Sequence, residues 1–230
     1  MLIDIVIPTR DRLLKLYNCV GSILNSDWGD NQISIKVAFN DEEELTKFKQ
    51  YTMSQEIMME VFEGYRVPTF WNTYLLKSKA DVLVCLNDDT ILKKHTILKL
   101  EEAFKTHFPD YDCVIGLNQS NGPVEQCLDS AFCAIGIKYS DRFPNRQVYC
   151  PDYFRFYGDK ELGEYAKSIN KFYFAKEVEI IHLHPAFTGI PGDETHNKVR
   201  EFLNKDRVTY TKRQQLNYLW GSDYNLLSKE

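Results

Sequence analysis

Residues 82–90 indicate the fold most directly; they read Val82-Leu83-Val84-Cys85-Leu86-Asn87-Asp88-Asp89-Thr90. The apolar run at the start is typical of an interior strand of a parallel sheet, which is covered on both faces. Two adjacent carboxylates repel each other, so their position at the end of a buried strand indicates an oxygen-liganded cation, such as Mg²⁺ or Mn²⁺ bridging to a diphosphate. The alternative is that Asp88 or Asp89 caps the helix predicted to come next, because Asp is a common N-cap residue.

Strands and helices alternate on the N-terminal side of this stretch. Apolar runs or period-two alternation mark the strands, and apolar residues at three- and four-residue steps mark the helices. In chain order, the pattern predicts a strand over residues 2–7 that stops at Pro8, a helix over 13–24, a strand over 33–39, a charged helix from Glu42 to about Tyr51, a strand over 57–62 and an aromatic-rich helix over 69–77. This order predicts an α/β domain with a doubly wound, mainly parallel sheet, whose ligands bind beyond the carboxyl ends of the strands.

The pattern loosens on the C-terminal side. After a helix around residues 97–104 and an apolar run over 113–117, it predicts turns over 118–123, a strand over 132–137, a Pro-containing loop to residue 152, a helix near Gly158, a final strand over 178–181 and a polar, helical tail from Asp193. No internal repeat or linker marks a second domain. We therefore expect one domain over residues 1–190 and a helical C-terminal extension over 191–230 that packs on it.

Composition narrows the class of protein. The chain has 230 residues, a net charge of −5 and a pI near 5.6, which argue against a surface devoted to non-specific capture of nucleic acid. The cysteines form no C-x-x-C pair, and Cys85 and Cys113 lie in apolar, strand-like runs, so a reducing compartment is expected. The run after Met1 is too short for a signal sequence, and no apolar run is long enough to span a membrane. We therefore expect a cytoplasmic protein without a transmembrane segment.

Two histidines come after the last predicted strand, in His182-Leu183-His184. Side chains two residues apart on a strand point to the same side, so both imidazoles can face the cleft at the strand ends and act as metal ligands. The alternative is a surface or hydrogen-bonded pair that holds no metal.

Two carboxylates lie near the turn in Gly158-Asp159-Lys160-Glu161. A positioned carboxylate can accept the proton of a hydroxyl as that hydroxyl bonds to an anomeric carbon. The alternative is an acidic first helical turn, which the helix dipole stabilises.

Together these features resemble glycosyltransferase family 2 and the GT-A fold. The matching segments, in the order that the family has them, are Ile5-Val6-Ile7-Pro8-Thr9-Arg10-Asp11-Arg12, Asn72, Leu86-Asn87-Asp88-Asp89-Thr90, Tyr157-Gly158-Asp159-Lys160-Glu161-Leu162 and Ile180-Ile181-His182-Leu183-His184-Pro185. The resemblance covers about residues 2–185. It implies a GT-A domain with a smaller acceptor-side region, and an enzyme that uses Mn²⁺ or Mg²⁺ and a nucleotide-diphosphate sugar, with a UDP-sugar favoured.

The resemblance also implies a metal site and a donor site. Asp89 is the metal-binding aspartate of the D-x-D-like motif, and His182 or His184 completes the metal shell. Asn87 departs from the aspartate that the motif has at its first position, which weakens the ribose or metal contact there. The residues expected to contact the donor are Pro8, Thr9, Arg10, Asn40, Asp41, Asn72, Asn87 and Asp88.

The family's catalytic base is similarly placed at Asp159. Gly158 replaces the acidic residue that precedes the base in the family, so Glu161 is the reserve candidate. The reaction implied is a single displacement that inverts the anomeric configuration, with an acceptor hydroxyl on a glycan, a glycolipid or a protein.

Two other functions remain open from the sequence. The first is a glycosyltransferase that acts on a modified base in DNA, for which Tyr210, Tyr218 and Trp220 are available to stack. A basic stretch supports it or is an ordinary solvated helix face; its residues are Lys198, Arg200, Lys205, Arg207, Lys212 and Arg213. The second is a non-catalytic protein that binds a nucleotide sugar or a carbohydrate, for which Asp159 is dispensable.

Aromatic residues crowd the segment before the central strand, at Tyr65, Phe70, Trp71 and Tyr74. Aromatic faces can stack on sugars or bases, but at helical spacing the same residues are typical of a core. Only Asn72 of that helix is therefore a candidate site residue, on the strength of the resemblance.

Overall fold

The computed structural model describes residues 1–50, 57–62, 66–122, 130–189, 191–192 and 194–222, and for residues 194–200 it describes the backbone alone. The predicted features at Tyr51, Tyr65, Pro123 and Asp193 lie outside these residues, as do the side chains of Lys198 and Arg200. Within the described ranges, no helix is long and apolar enough to cross a membrane.

Strands and helices alternate through the first half of the chain, as predicted. The strands are β1 (Leu2–Pro8), β2 (Gln32–Phe39), β3 (Ile57–Val61), β4 (Val82–Cys85), β5 (Thr90–Leu92), β6 (Val114–Gln119), β7 (Cys133–Gly136) and β8 (Phe172–His182). The helices are α1 (Leu13–Leu24), α2 (Glu42–Lys49), α3 (Val67–Lys77), α4 (Thr96–His107), α5 (Ile137–Ser140), α6 (Gly158–Ser168), α7 (Pro185–Thr188) and α8 (Glu194–Gln215), with a short 3₁₀ turn at Pro144–Arg146.

The strands form one 8-stranded sheet in the order β3-β2-β1-β4-β7-β6-β8-β5. β1 is parallel to both β2 and β4, and β6 is parallel to β8. β7 is antiparallel to β4 and β6, and β5 is antiparallel to β8. Because β7 reverses direction between β4 and β6, the carboxyl ends of β1, β4, β6 and β8 all lie at one edge of the sheet. The predicted α/β class with a mainly parallel sheet is confirmed.

Helices cover both faces of this sheet. Ile5 and Ile7 of β1 pack in a core with α1, α2 and α4, whereas Val6 packs in a second core with α3, α5 and α6. The central strand β4 alternates in the same way, with Val84 in the first core and Leu83 in the second. Burial of both faces explains why residues 82–86 are continuously apolar instead of alternating with polar residues.

Several side chains for which the sequence predicts a core position are buried. Phe70, Trp71 and Tyr74 are each at most 5% exposed, and the Phe70 ring lies 4.8 Å from Trp71 and 4.9 Å from Tyr74 in edge-on geometry. Cys85 and Cys113 are buried free thiols. The core interpretation of the aromatic helix is therefore confirmed over the sugar-stacking one.

The structure differs from the prediction directly after the acidic pair. Instead of a helix, residues 90–92 form β5, whose Thr90 pairs with His182 of β8. Helix α4 begins only at Thr96, with His95 at its N-cap. The alternative in which Asp88 or Asp89 caps this helix is therefore wrong, because a strand separates them from it.

The last strand is longer than the predicted 178–181. β8 begins at Phe172, and the exposed Lys176 and Glu177 interrupt its apolar pattern. The same region contains a register shift, because the partner strand β6 changes its pairing between Leu117 and Asn118. A bulge of this kind breaks the two-residue period on which the prediction depends.

The C-terminal helix α8 holds the loop that leads into α6. Asp206 is 0% exposed, and its carboxylate accepts hydrogen bonds from the backbone N–H groups of Phe154 at 2.9 Å, Arg155 at 2.8 Å and Phe156 at 2.8 Å. A buried carboxylate is stable in such a position because several donors replace the water that it has lost. One side chain of α8 therefore fixes the backbone just before the helix that carries Asp159.

We expect Asp206→Asn to lower the free energy of unfolding by about 3 kcal/mol, because hydrogen bonds to a buried charge contribute about 1.5–3 kcal/mol each. The amide presents one oxygen where the carboxylate presents two, and its N–H group faces a donor. Urea denaturation measures the change. Thr211→Ala, at an exposed position of the same helix, is the control and should change the stability by less than about 0.5 kcal/mol. Equal stabilities of Asp206→Asn and the unaltered protein would contradict this account.

Candidate active site

The acidic pair lies at the edge of the sheet where the parallel strands end. Asp88 and Asp89 come after β4, Thr9 comes after β1, Gln119 ends β6 and His182 ends β8. Open α/β sheets bind ligands in the crevice at this edge. The topology therefore brings together polar residues that lie far apart in the sequence.

Three side chains surround the acidic pair, which is almost fully buried at 3% exposure for Asp88 and 2% for Asp89. Thr9 Oγ1 donates to Asp88 Oδ2 at 3.0 Å. Arg12 Nη1 donates to Asp88 Oδ1 at 3.2 Å and to Asp89 Oδ2 at 3.3 Å. His182 Nε2 lies 3.3 Å from Asp89 Oδ1. One cationic side chain thus bridges two carboxylates that would otherwise repel each other.

The two carboxyl groups differ in acidity. Burial, followed by the charge of Asp89, raises the pKa of Asp88, although Arg12 and Thr9 act against this. Burial also acts to raise the pKa of Asp89, but His182 and the charge of Arg12 outweigh it and lower that pKa. Asp89 is therefore the member of the pair that keeps its negative charge most firmly.

His182 is oriented by the strand next to it. It is 8% exposed, its Nδ1 lies 3.0 Å from Gln119 Oε1, and its backbone N–H donates to Asn121 Oδ1 at 2.9 Å. This contact with Gln119 holds the imidazole ring so that Nε2 is the ring nitrogen that faces Asp89. Histidines that bind metals commonly have this arrangement, with the second ring nitrogen held by an oxygen acceptor.

His184 has a different environment, although it lies only two residues further on. Its Nδ1 accepts a hydrogen bond from the backbone N–H of Ala186 at 3.2 Å and so caps the short helix α7. Its ring centroid is 5.2 Å from that of His182. The structure therefore places His182 against the acidic pair and gives His184 a capping hydrogen bond.

The residues at Asp89 fit a divalent cation that shares its ligands with a substrate. Asp89 Oδ1 is buried and makes no hydrogen bond of good geometry, although the His182 imidazole is within ion-pair distance. No group of three or more His, Cys, Asp or Glu side chains in the described part of the chain is arranged to hold a metal by itself. Mg²⁺-type ions in enzymes are commonly held by one or two protein ligands, with substrate phosphates and water completing the shell.

Asp159 lies in the first turn of α6 and is partly buried. Its backbone oxygen accepts a hydrogen bond from the Ser130 hydroxyl, just before β7. Because Cys133 of β7 pairs with Cys85 at the end of β4, this contact fixes the start of α6 at the edge that holds the acidic pair. Tyr157, two residues before Asp159, has a left-handed backbone with φ of 67°, a conformation that is costly for a non-glycine residue.

Glu161, the reserve candidate for the base, is 1% exposed and faces the C-terminal segment. Its Oε1 accepts hydrogen bonds from Arg213 Nε and from the backbone N–H of Trp220, both at 2.9 Å. The sequence pattern includes Arg213 in a basic surface, but its side chain is 11% exposed and is paired with Glu161. The two carboxylates of this helix therefore have different surroundings, and Asp159 is the more accessible one.

The other predicted donor contacts lie at or behind the same edge. Asp41 caps α2 by accepting from the Glu44 N–H at 2.9 Å, next to Asn40 at the end of β2. Asn72 is 7% exposed and exchanges two hydrogen bonds with the backbone of Tyr149, at 2.7 and 2.9 Å. Asn72 thus fastens α3 to the segment before α6. Pro8 ends β1, and Arg10 is an exposed side chain next to it.

The sequence-based prediction assigns no role to two side chains of this site, Arg12 and Gln119. Arg12 lies within the segment after the first strand, and its cationic side chain close to a strand end is the signal that could have singled it out. Gln119 offers no such signal, since a single polar residue after an apolar run has no motif. Only the pairing of β6 with β8 places Gln119 beside His182.

Comparisons with known proteins identify the fold. No protein-family model matches the sequence, and no curated protein matches it significantly. The structure resembles residues 1–349 of S. aureus TarS with a TM-score of 0.64 and 13% identity, covering 80% of this chain and 61% of that one. For the complex of that protein with UDP-GlcNAc, the TM-score is 0.59, with 12% identity over 77% of this chain and 56% of that one.

A further solved structure is the mannosyltransferase PcManGT from Pyrobaculum calidifontis in complex with GDP-Man and Mn²⁺. Its TM-score is 0.60, with 12% identity over 85% of this chain and 59% of that one. This chain thus spans little more than half of the length of these structural neighbours. They are of the GT-A type, and the likeness confirms the predicted GT-A fold.

Proposed function

We propose that this chain is a metal-dependent glycosyltransferase that moves a sugar from a nucleotide-diphosphate sugar to an acceptor hydroxyl. The observation that carries the proposal is the buried acidic pair at the carboxyl ends of the strands, with Asp89 Oδ1 turned toward the Nε2 atom of His182. The fold supports the same function, since one structural neighbour binds UDP-GlcNAc and another binds GDP-Man with Mn²⁺.

Asp89 and His182 are the residues that would hold Mn²⁺ or Mg²⁺. When bound, the ion supplies positive charge to the diphosphate leaving group, which stabilises the transition state electrostatically. His184 caps α7, so it is a weaker candidate for a metal ligand than His182. Asp88 is held by Thr9 and Arg12 and keeps the loop after β4 in place.

The donor is proposed to lie across the ends of β1, β2 and β4. Pro8, Thr9 and Arg10 lie at the end of β1, Asn40 and Asp41 at the end of β2, and Asn87 and Asp88 at the end of β4. We favour a UDP-sugar over other nucleotide sugars, in keeping with the family resemblance. Asn72 acts on this site indirectly, through its two hydrogen bonds to the backbone of Tyr149.

Asp159 is proposed as the base. Its carboxylate takes the proton of the acceptor hydroxyl as that oxygen bonds to the anomeric carbon, and the bond from this carbon to the diphosphate oxygen breaks in the same displacement. Attack from the side opposite the leaving group inverts the anomeric configuration. Glu161 supports the start of α6 through Arg213 and does not take part in the proton transfer.

The acceptor is proposed to be a hydroxyl of a glycan, a glycolipid or a protein. The DNA alternative depends on a basic face of α8. Lys205, Arg207 and Lys212 are exposed on this helix, whereas Arg213 forms an ion pair with Glu161. Its test is the salt dependence of acceptor binding, because neutralising phosphates makes binding fall steeply with salt concentration. A flat response would exclude DNA.

We further propose residues 1–190 as the transferase domain and 191–230 as its helical extension.

A thermal-shift screen of nucleotide sugars with and without Mn²⁺ tests the proposal as a whole. A donor at about 100 times its Kd stabilises a protein by about 2.7 kcal/mol, which for this chain length corresponds to roughly 5–10 °C in Tm. We expect the shift for one nucleotide sugar to depend on Mn²⁺, and Asp89→Asn to remove that dependence. If no nucleotide sugar changes the Tm in either condition, the proposed function is wrong.

A further inference from the structure

Arg12 is the cation that already neutralises part of the acidic pair. Its side chain is 6% exposed, and its Nη1 lies 3.2 Å from Asp88 Oδ1 and 3.3 Å from Asp89 Oδ2. The preceding residue, Asp11, has a left-handed backbone with φ of 56°, and the backbone oxygen of Arg12 accepts the N–H of Leu16 in the first turn of α1. A tight turn and the start of a helix thus fix the backbone from which the guanidinium reaches the carboxylates.

The position of Arg12 affects any further cation at this site. Asp89 accepts from Arg12 through Oδ2 and offers Oδ1 on the side of His182. An ion bound at Oδ1 would therefore lie a few ångströms from the guanidinium, in a buried place where like charges repel more strongly than in water. Two carboxylates with one arginine carry a net charge of about −1, which a divalent ion alone would reverse.

A diphosphate changes this balance. It brings negative charge to the same edge of the sheet, and its oxygens suit the planar, multiply donating guanidinium of arginine. Such a ligand can draw the guanidinium from Asp89 and relieve the repulsion of the metal at the same time. Metal and diphosphate would then each favour the binding of the other.

We propose that Arg12 couples metal binding to donor binding: it occupies the acidic pair in the free protein, opposes a metal ion that arrives alone, and turns to the diphosphate when donor and metal bind together. This inference rests on the proposed function. It assigns to Arg12 a regulating role in binding, and none in the proton transfer.

The experiment measures the affinity for Mn²⁺ by electron paramagnetic resonance of the free ion, with and without UDP, in the complete protein. For the unaltered protein we expect UDP to tighten Mn²⁺ binding by about tenfold or more, within the range of about 5–150-fold that is typical of coupled sites. Arg12→Gln should tighten Mn²⁺ binding in the absence of UDP by about tenfold and reduce the effect of UDP correspondingly. Arg12→Lys keeps the charge but not the planar guanidinium, so Mn²⁺ alone should bind it about as weakly as the unaltered protein, and UDP should tighten that binding less.

Lys105→Gln is the matched control, because it removes one positive charge from a side chain that is 69% exposed, near the end of α4 that leads to β6 at the edge of the sheet opposite the site. It should change Mn²⁺ binding without UDP by less than about threefold, since exposed charges are screened by solvent. Unchanged or weaker Mn²⁺ binding in Arg12→Gln would overturn the inference. Equal Mn²⁺ affinity with and without UDP in the unaltered protein would overturn it as well, whether or not the variant folds.

The outcomes separate this inference from the function on which it rests. If Mn²⁺ binds and Asp89→Asn abolishes that binding, but Arg12→Gln has no effect, the proposed metal site stands and the role of Arg12 is wrong. If no Mn²⁺ binds even with UDP present, the metal dependence of the proposed function fails and the inference fails with it.

Discussion

Asp89→Asn is expected to lower kcat/KM for glycosyl transfer by about 10²–10³, the loss typical of removing one preorganised electrostatic partner of a transition state. The substitution keeps the size of the side chain and removes its charge. Because Asp89 is 2% exposed, water cannot readily replace the lost charge at the proposed metal site. Initial rates with a nucleotide sugar identified by thermal shift, measured over a range of Mn²⁺ concentrations, give the effect.

The control for this change is Asp110→Asn. Asp110 is exposed, pairs with Lys138 at 2.7 Å, and lies shortly before the start of β6, at the edge of the sheet opposite the site. We expect its rate to stay within about twofold of the unaltered protein, because most surface substitutions far from a functional site have small effects. An unchanged rate for Asp89→Asn would contradict the assignment. A fall in rate that is matched by a loss of folded protein would be no support for it, so Tm is measured on the same samples.

The location of the acidic pair and of His182 can largely be predicted from sequence because it depends on strand ends. A continuous apolar run such as residues 82–86 can be recognised as an interior strand, and the residues directly after such a strand must lie at the ligand-binding edge. The same reasoning locates His182 at the end of β8, although the pattern shows only the last part of that strand. Position along a strand is therefore enough to place the acidic pair and the histidine.

Residues that act through tertiary contacts cannot be predicted in this way. The surroundings of Glu161, for example, depend on Arg213, which lies 52 positions further on and contacts Glu161 through a hydrogen bond from α8 to α6. The strand β5 cannot be predicted for a related reason. It has only 3 residues, which is too short to show a period, and it is defined by its pairing with β8. In both cases the deciding information belongs to a distant segment of the chain.

Asp159→Asn is expected to lower kcat by about 10²–10⁴, the contribution typical of a positioned general base, while donor binding stays intact. The amide has nearly the shape of the carboxylate but cannot accept the hydroxyl proton. The backbone contact that fixes this residue, from Ser130 to the oxygen of Asp159, does not involve the altered side chain. Transfer rate and donor-induced Tm shift, measured side by side, therefore separate loss of chemistry from loss of structure.

Glu161→Gln provides the comparison within the same helix. Removing one partner of a buried ion pair costs about 3–5 kcal/mol, so this variant should lose stability, and the fraction that remains folded should transfer sugar at nearly the normal rate.

The reverse result, with slow transfer in a stable Glu161→Gln and normal transfer in Asp159→Asn, would move the base to Glu161. If the unaltered protein binds donor but neither it nor either variant transfers sugar in any assay, the chain binds nucleotide sugars without being an enzyme. A base is the one part of this site that a binding protein does not need, and for that reason Asp159 distinguishes the two functions more sharply than the metal ligands can.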